Sequence, residues 1–426
     1  MKSFLKFLVL TILFIALGGC AASRDMRFKK KLTSALQIGN FDDHFTGIFV
    51  YEPHLKDTLF KNNSGLYFTP ASNTKIFTLY ASLQLLPDAV PVLKYSIQGD
   101  TLYVEGTGNP TTLHPYFKDS TGINFIKEYD PIIYYPHNFQ EDHFAPGWAW
   151  EDYDGYYSTE RTGFPLYGNV LHIEQTDSLI VYPEFFRDSL LSEKSNWNRM
   201  LDRNLFYFEE DRIDTLEIPI KNSTQLTKDL LENILGREIQ VIDTLPDLQK
   251  EILYGIATDS VYRRMMLESD NFLAEQLLIM STAMLSDTLQ SSIAREFVLE
   301  TYLSELKHPP RWVDGSGLSR YNLFTPESMV YVLNKLYQDI PRERLFTFFP
   351  SGGETGTLED WFAGNPDPYI FAKTGTLGNT YCLSGYMVTK SGKTLIFSFM
   401  NNNFKGSSSA IKEQMQPILE QLRDSY

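Results

Sequence analysis

The chain has 426 residues, of which 43% are hydrophobic and 14% aromatic, and it carries a formal net charge of -15. That apolar content suits a folded chain, and the length exceeds what one compact core accommodates, so two or three domains are expected. Acidity of this size repels phosphate backbones and argues against nucleic acid as a partner.

At the start, Lys2 and Lys6 form a short basic region, Phe7 to Leu17 an apolar core, and Leu17-Gly18-Gly19-Cys20 a run of small residues before a cysteine. The apolar stretch is too short for a stable membrane span and reads as an export signal. It is similar to a bacterial lipoprotein signal, in which Cys20 is lipidated and becomes the first mature residue. An ordinary signal peptide or a short anchor that happens to end near a cysteine is the alternative. On the lipoprotein reading residues 1–19 are removed, and the protein is held to a membrane of the cell envelope, facing the periplasm, with the leaflet left open. Cys382 then has no cysteine partner within the mature chain, and its apolar alternating surroundings suit a small buried hydrophobe. Neither a His-Glu-x-x-His pattern nor a cysteine pair occurs, so no metal or other cofactor is expected.

Further along, Met26 to Ile38 reads as an amphipathic helix, and Phe45 to Tyr51 with Thr58 to Lys61 as a hairpin. Pro70 precedes a helical stretch that starts near Ser72 and runs through Leu85; proline is tolerated there because its missing N–H costs no helical bond. Between about 89 and 255 short alternating runs (Thr101 to Val104, Asn169 to Glu174, Leu179 to Tyr182) are separated by Pro, Gly, Asn and Asp, the pattern of β-rich inserted material. Helical periodicity returns at Val261 to Met284, Ser292 to Leu306 and Pro326 to Tyr337. Cys382 to Thr389 and Thr394 to Met400 form a second hairpin around Lys390-Ser391-Gly392-Lys393, and a final helix covers about Ala410 to Leu422. The expected organisation is an α/β domain in two parts, 20–88 and 256–426, interrupted by a β-rich insertion at 89–255 of two small domains.

Three short strings carry the chemistry. Ser72 and Lys75 stand at i and i+3, so on one helix they share a face. A serine hydroxyl is a weak nucleophile until a base takes its proton, and a neutral, partly desolvated lysine can do so. The same spacing recurs at Ser3/Lys6, Ser304/Lys307 and Ser409/Lys412, and Ser72 as a simple helix cap is the bland alternative. Ser269-Asp270-Asn271 precedes the apolar run Phe272 to Met280. It is either a cap or a short extended turn that points Ser269 and Asn271 into a cleft, with Asp270 turned away. Lys373-Thr374-Gly375-Thr376 follows Ile370-Phe371. As an edge strand it offers positive charge at Lys373, a carboxylate ligand at Thr374, and close backbone approach at Gly375; as an ordinary turn it offers nothing. A near copy at Glu354-Thr355-Gly356-Thr357-Leu358 lacks the lysine.

The order of the three strings matches that of the penicillin-interacting serine enzymes. In its wider context the sequence resembles the class C low-molecular-mass penicillin-binding proteins, the D-alanyl-D-alanine carboxypeptidase/endopeptidase family. The resemblance rests on Pro70-Ala71-Ser72-Asn73-Thr74-Lys75, on Ser269 through Glu275, on Lys373 through Leu377, and on Asp314-Gly315-Ser316-Gly317-Leu318-Ser319-Arg320. Gly106 to Pro110 and Gly147 to Asp152 add segments of the insertion. It implies a penicillin-binding-protein/β-lactamase-like transpeptidase domain, an antiparallel sheet flanked by helices, interrupted by β-rich inserted domains.

It further implies that Ser72, Lys75, Ser269, Asn271 and Lys373 are catalytic and that Thr374, Gly375 and Thr376 bind substrate. The backbone N–H groups of Ser72 and Thr376 would form an oxyanion hole. The substrates implied are peptidoglycan peptides that end in D-Ala-D-Ala or are cross-linked through D-Ala, with β-lactams as covalent inhibitors. In the insertion, Asp152 beside Trp148 and Trp150 is a candidate for recognising a cross-link amine, though a solvated acid on a turn reads equally well. A serine β-lactamase or esterase with the same acylation centre, and an inactive wall-binding lipoprotein, are the competing readings.

Overall fold

The computed structural model describes residues 41–209 and 212–426, together with 30, 33 and 34. Cys20, the export signal and most of the Met26 to Ile38 helix fall outside the described residues. Among the described residues no helix is long and apolar enough to cross a membrane. The chain divides into two compact units: one of the residues up to Phe68 with Phe324–Asp339 and Pro350–Tyr426, the other of Thr69–Leu323 with Ile340–Phe349.

The first unit is built on a five-stranded antiparallel sheet in the order Ile370–Leu377, Thr380–Val388, Thr394–Asn402, Phe45–Glu52 and Asp57–Asn62. Both hairpins read from the alternating pattern are present, and the second pairs Thr380 with Asn402 through Val388 with Thr394. Successive side chains of a strand point to opposite faces. Leu395, Phe397 and Phe399 join Ile411, Met415, Ile418 and Leu422 of the helix Ser408–Ser425 in one core. On the other parity Tyr386 donates its hydroxyl to the Leu333 carbonyl of the helix Pro326–Asp339 at 2.8 Å. With helices over both faces, the strands at 380–388 and 394–402 are buried almost throughout. Cys382 is buried in this sheet; burial pushes its thiol up to about 12, so it sits there as a small hydrophobe.

The second unit centres on the helix Asn271–Ala283, in which every residue after Asn271 is buried. A largely apolar helix with no face left to solvent needs cover on every side, and Lys75–Leu85, Thr258–Leu267 and Ser291–Thr301 pack against it. The periodicity at 261–284 therefore belongs to two helices, broken at 268–270. The rest of this unit is β-rich. A five-stranded mixed sheet runs Gln240–Val241, Ile132–Tyr135, Thr101–Gly106, Ala89–Gln98 and Glu251–Ala257, and two small sheets hold Leu216–Pro219 with Val170–Gln175 and Leu179–Tyr182, and Leu190–Leu191 with Phe206–Tyr207. The strand at Ala89 and the strand ending at Ala257 are antiparallel neighbours, so the chain leaves the helices and returns to them at one place.

Candidate active site

Ser72 lies on a single 3-10 turn, Ala71–Thr74, that runs directly into the helix Lys75–Leu85. Residues three apart eclipse on a 3-10 turn, which sets the Ser72 and Lys75 side chains one above the other. The turn is entered through Ala71, fully buried with φ of 48°. A non-glycine residue in the left-handed region costs of order 1 kcal/mol or more and persists only where its surroundings enforce it. Ser72 does not act as a simple cap: its Oγ is 2.9 Å from Lys75 Nζ.

Lys75 is fully buried, and its amine meets three oxygens: Ser72 Oγ at 2.9 Å, Asn271 Oδ1 at 2.6 Å and the Ser316 carbonyl at 2.7 Å. The last two can only accept. A neutral amine has two hydrogens and one lone pair, so those acceptors take both hydrogens and the lone pair is left for the Ser72 hydroxyl. Burial lowers the Lys75 amine to about 8, against the opposing fields of Asp314, Asp270 and Glu275. An ordinary lysine at neutral pH is almost wholly charged; this one has an appreciable neutral fraction.

The second string is a helix start and not an extended turn. Ser269, half-buried, has φ of 58°; Asp270 caps the helix by accepting from Leu273 N at 3.0 Å; Asn271 is the first helical residue. The cap reading and the functional reading are thus divided between neighbours, Asp270 taking the first and leaving the amide of Asn271 to the lysine. Asn271 Nδ2 donates to the Tyr157 carbonyl at 2.8 Å, which keeps Oδ1 turned toward Lys75.

The string Asp314 to Arg320 wraps a loop around one carboxylate. Asp314, fully buried, accepts from Gly317 N at 2.9 Å, Ser319 N at 2.6 Å, Asn322 Nδ2 at 2.6 Å and Trp148 Nε1 at 2.9 Å. This loop aims the Ser316 carbonyl at Lys75. Gly317 has φ of 86°, and a Cβ there would stand 1.9 Å from the Ala71 carbonyl oxygen; glycine is required for the loop to lie against the turn that carries Ser72.

In the first unit Lys373-Thr374-Gly375-Thr376 is part of the strand Ile370–Leu377, the terminal strand in the order of that sheet, paired Lys373 to Ser384 and Gly375 to Cys382. Lys373 is buried and its Nζ donates to the Thr374 carbonyl at 2.9 Å. Thr376 is exposed. The near copy of the motif packs against it: Thr374 Oγ1 donates to Thr357 Oγ1 at 2.7 Å. So the second Thr-Gly-Thr string is a support for the first.

Asp152 ends a 3-10 turn, Trp150–Asp152, and accepts from the Tyr157 hydroxyl at 2.8 Å. Burial, then Asp152, raise that phenol to about 12. Glu151, Asp152, Asp154, Tyr157 and Glu217 are among the residues lining a cavity of about 540 Å³, whose described lining has no basic side chain. Tyr157 therefore joins this cavity, by its hydroxyl, to the Asn271 amide, by its carbonyl.

Residues that sequence reasoning leaves without a role are Tyr157, Ser316 and Asp314. Tyr157 and Ser316 act through backbone carbonyls, which carry no side-chain signal. Asp314 had one: an aspartate followed by Gly-x-Gly in a Ser-rich run marks a loop folded on a carboxylate.

The fold is similar to that of penicillin binding protein 4. The chain aligns with the crystal structure of penicillin binding protein 4 from Haemophilus influenzae at a TM-score of 0.73 and 18% identity, covering 92% of this chain and 99% of that one. The profile of the D-Ala-D-Ala carboxypeptidase 3 (S13) family matches residues 259–424. D-alanyl-D-alanine carboxypeptidase DacB of Haemophilus influenzae is 31% identical over 116 residues, 26% of this chain and 24% of that protein. Penicillin-sensitive carboxypeptidase A of Dictyostelium discoideum is 22% identical over 442 residues, 85% of this chain and 83% of that protein. The match to the S13 D-Ala-D-Ala carboxypeptidase family covers less than half of the chain, all of it in the C-terminal part, and the chain spans about a quarter of the length of the DacB protein it resembles there.

Proposed function

We propose that this protein is a serine-type D-alanyl-D-alanine carboxypeptidase, endopeptidase or both, which cuts peptidoglycan stem peptides and cross-links through an acyl-enzyme on Ser72. The observation that carries this reading is the buried Lys75 amine, in contact with the Ser72 hydroxyl and otherwise surrounded by acceptors. In the first step the Ser72 proton passes to the Lys75 lone pair while Oγ bonds to the D-alanyl carbonyl carbon. The C–N bond then breaks, and the departing amine takes a proton from Lys75, with Ser269 assigned as relay. Water hydrolyses the ester and returns the hydroxyl. A β-lactam follows the same first step and leaves a longer-lived ester.

To Asn271 we assign the substrate amide as well as Lys75. To Lys373, Thr374, Gly375 and Thr376 we assign the substrate-binding roles that the family resemblance implies, and to Asp152 a cross-link amine, a choice supported by the acidic lining of its cavity. The protein belongs in the cell envelope, where these substrates are, anchored through a lipid on Cys20 with its catalytic part facing the periplasm.

Digestion of purified muropeptides is the test. Release of D-alanine, scission of cross-linked dimers, or both, is expected from the parent and not from Ser72→Ala. Absence of any Ser72-dependent cleavage of D-alanyl bonds would remove the peptidase assignment, and rapid turnover of β-lactams in its place would make the protein a β-lactamase.

A further inference from the structure

Behind Lys75 lies a charged cluster that the acyl-transfer scheme does not use. Glu275, fully buried on the helix Asn271–Ala283, accepts the Ser316 backbone N–H on Oε1 at 2.7 Å. Its Oε2 is 3.5 Å from Arg161 Nη1. Arg161, only 2% exposed, also lies 3.4 Å from Glu141 and donates Nη2 to the Asp142 carbonyl at 2.8 Å. Its guanidinium stands 5.9 Å from the centre of the Trp148 ring. Trp148 in turn donates to Asp314. The two peptide groups that flank Ser316 are thereby held at all four polar atoms. The Gly315 carbonyl accepts from Thr78 Oγ1 at 2.6 Å and the Ser316 N–H goes to Glu275. The Ser316 carbonyl faces Lys75, and the Gly317 N–H goes to Asp314.

A buried carboxylate without partners is costly, and an enzyme core has no need of one merely to hold a loop that Asp314 already organises. Its place is informative because it acts on the one acceptor of Lys75 that belongs to the backbone. We propose that Glu275 and Arg161 are positioning residues for Lys75: the Arg161-anchored carboxyl group fixes Ser316 so that its carbonyl takes one amine hydrogen and the lone pair stays on Ser72. The pair also contributes charge. Asp314, Asp270 and Glu275 face the amine and favour its protonated form. Arg161 and Asp314 face Glu275, and Glu141 and Arg295 complete the surrounding charges. This inference rests on the acyl-enzyme reading of Ser72.

The full mature chain is tested by the rate at which a fluorescent penicillin labels Ser72, measured across pH. Glu275→Gln keeps an acceptor for the Ser316 N–H but removes a charge that holds the proton on Lys75. Its acid limb is expected at lower pH, with labelling at the optimum within about threefold of the parent. Glu275→Ala removes the acceptor, and labelling at the optimum should fall roughly tenfold or more. Arg161 borders a cavity of about 670 Å³ that Ser291, Arg295 and Trp312 also line. Arg161→Ala should therefore be slow and recover when guanidinium, but not sodium, is added. Should Glu275→Ala fail to fold, Glu275→Gln and the guanidinium rescue decide. The inference is overturned if Glu275→Gln keeps the parental limb, or if Arg161→Ala labels at the parental rate or is slow without rescue. A parent chain that is never labelled at Ser72 overturns instead the acyl-enzyme reading itself.

Discussion

Two regions of the second unit show how differently polar groups are used in one protein. Around Lys75 the amine is fully buried and its partners, with Ser72 and Asn271 half-buried, are fixed: for the neutral amine, two acceptors for two hydrogens and one hydroxyl for the lone pair. Around Asp152 the acids stand in an open cavity beside Trp150 and Tyr156, which are 70% and 69% exposed. In the first region low dielectric makes each hydrogen bond and each nearby charge decisive for where a proton sits. In the second, water screens the charges, so changing one alters an affinity modestly and leaves the frame intact. On the roles proposed above, chemistry is placed where protons can be held, and recognition where substitution is cheap. Tyr157 is in both regions, one end on Asp152 and the other on Asn271.

The comparison can be broken most easily at its largest effect. Ser72→Ala should abolish the covalent fluorescent-penicillin adduct, and peptide mapping that finds the adduct on another residue would displace the site. Lys75→Met fills nearly the same buried space without a base, and should slow acylation by on the order of 10²–10⁴, with folding unchanged by circular dichroism. Gly317→Ala tests whether the fixed region depends on backbone geometry. A Cβ 1.9 Å from the Ala71 carbonyl in a left-handed residue should lower stability by about 2 kcal/mol or more, seen as a lower thermal midpoint, and slow acylation with it. Asp152→Asn probes the open region. It should leave the thermal midpoint and penicillin labelling close to the parent and reduce cleavage of amine-bearing cross-linked peptides a few-fold; loss of penicillin labelling would mean that the two regions are not separable.

Much of the frame is legible in the sequence because burial leaves a period. The hairpin at 380–402 is visible as alternation, and the helix Asn271–Ala283 as a largely apolar run, Phe272 to Met280, interrupted by Glu275 and Gln276. Helix ends are harder: a 3.6-residue period spans 261–284, and only the left-handed Ser269 with its Asp270 cap divides it, a local hydrogen-bonding choice that hydrophobicity does not record. At the site, side chains in short strings can be found by spacing, as Ser72 and Lys75 are. The Ser316 and Tyr157 carbonyls cannot, since every residue has one. Glu275 stands inside an apolar helix where composition offers no hint that a carboxyl group faces a backbone N–H. Thr355-Gly356-Thr357, in the sequence only a near copy of the third string without its lysine, acquires a purpose through the bond between Thr357 and Thr374.

The central claim is that a neutral Lys75 takes the Ser72 proton, and the pH dependence of acylation addresses it most directly. The amine is lowered by burial to about 8; below that value it is protonated and has no lone pair to offer, and above it the base is free. The rate of Ser72 labelling by a fluorescent penicillin should therefore rise as pH increases through about 8 and level off beyond it. A rate that stays flat across that range, or an equal limb in Lys75→Met, would contradict the account.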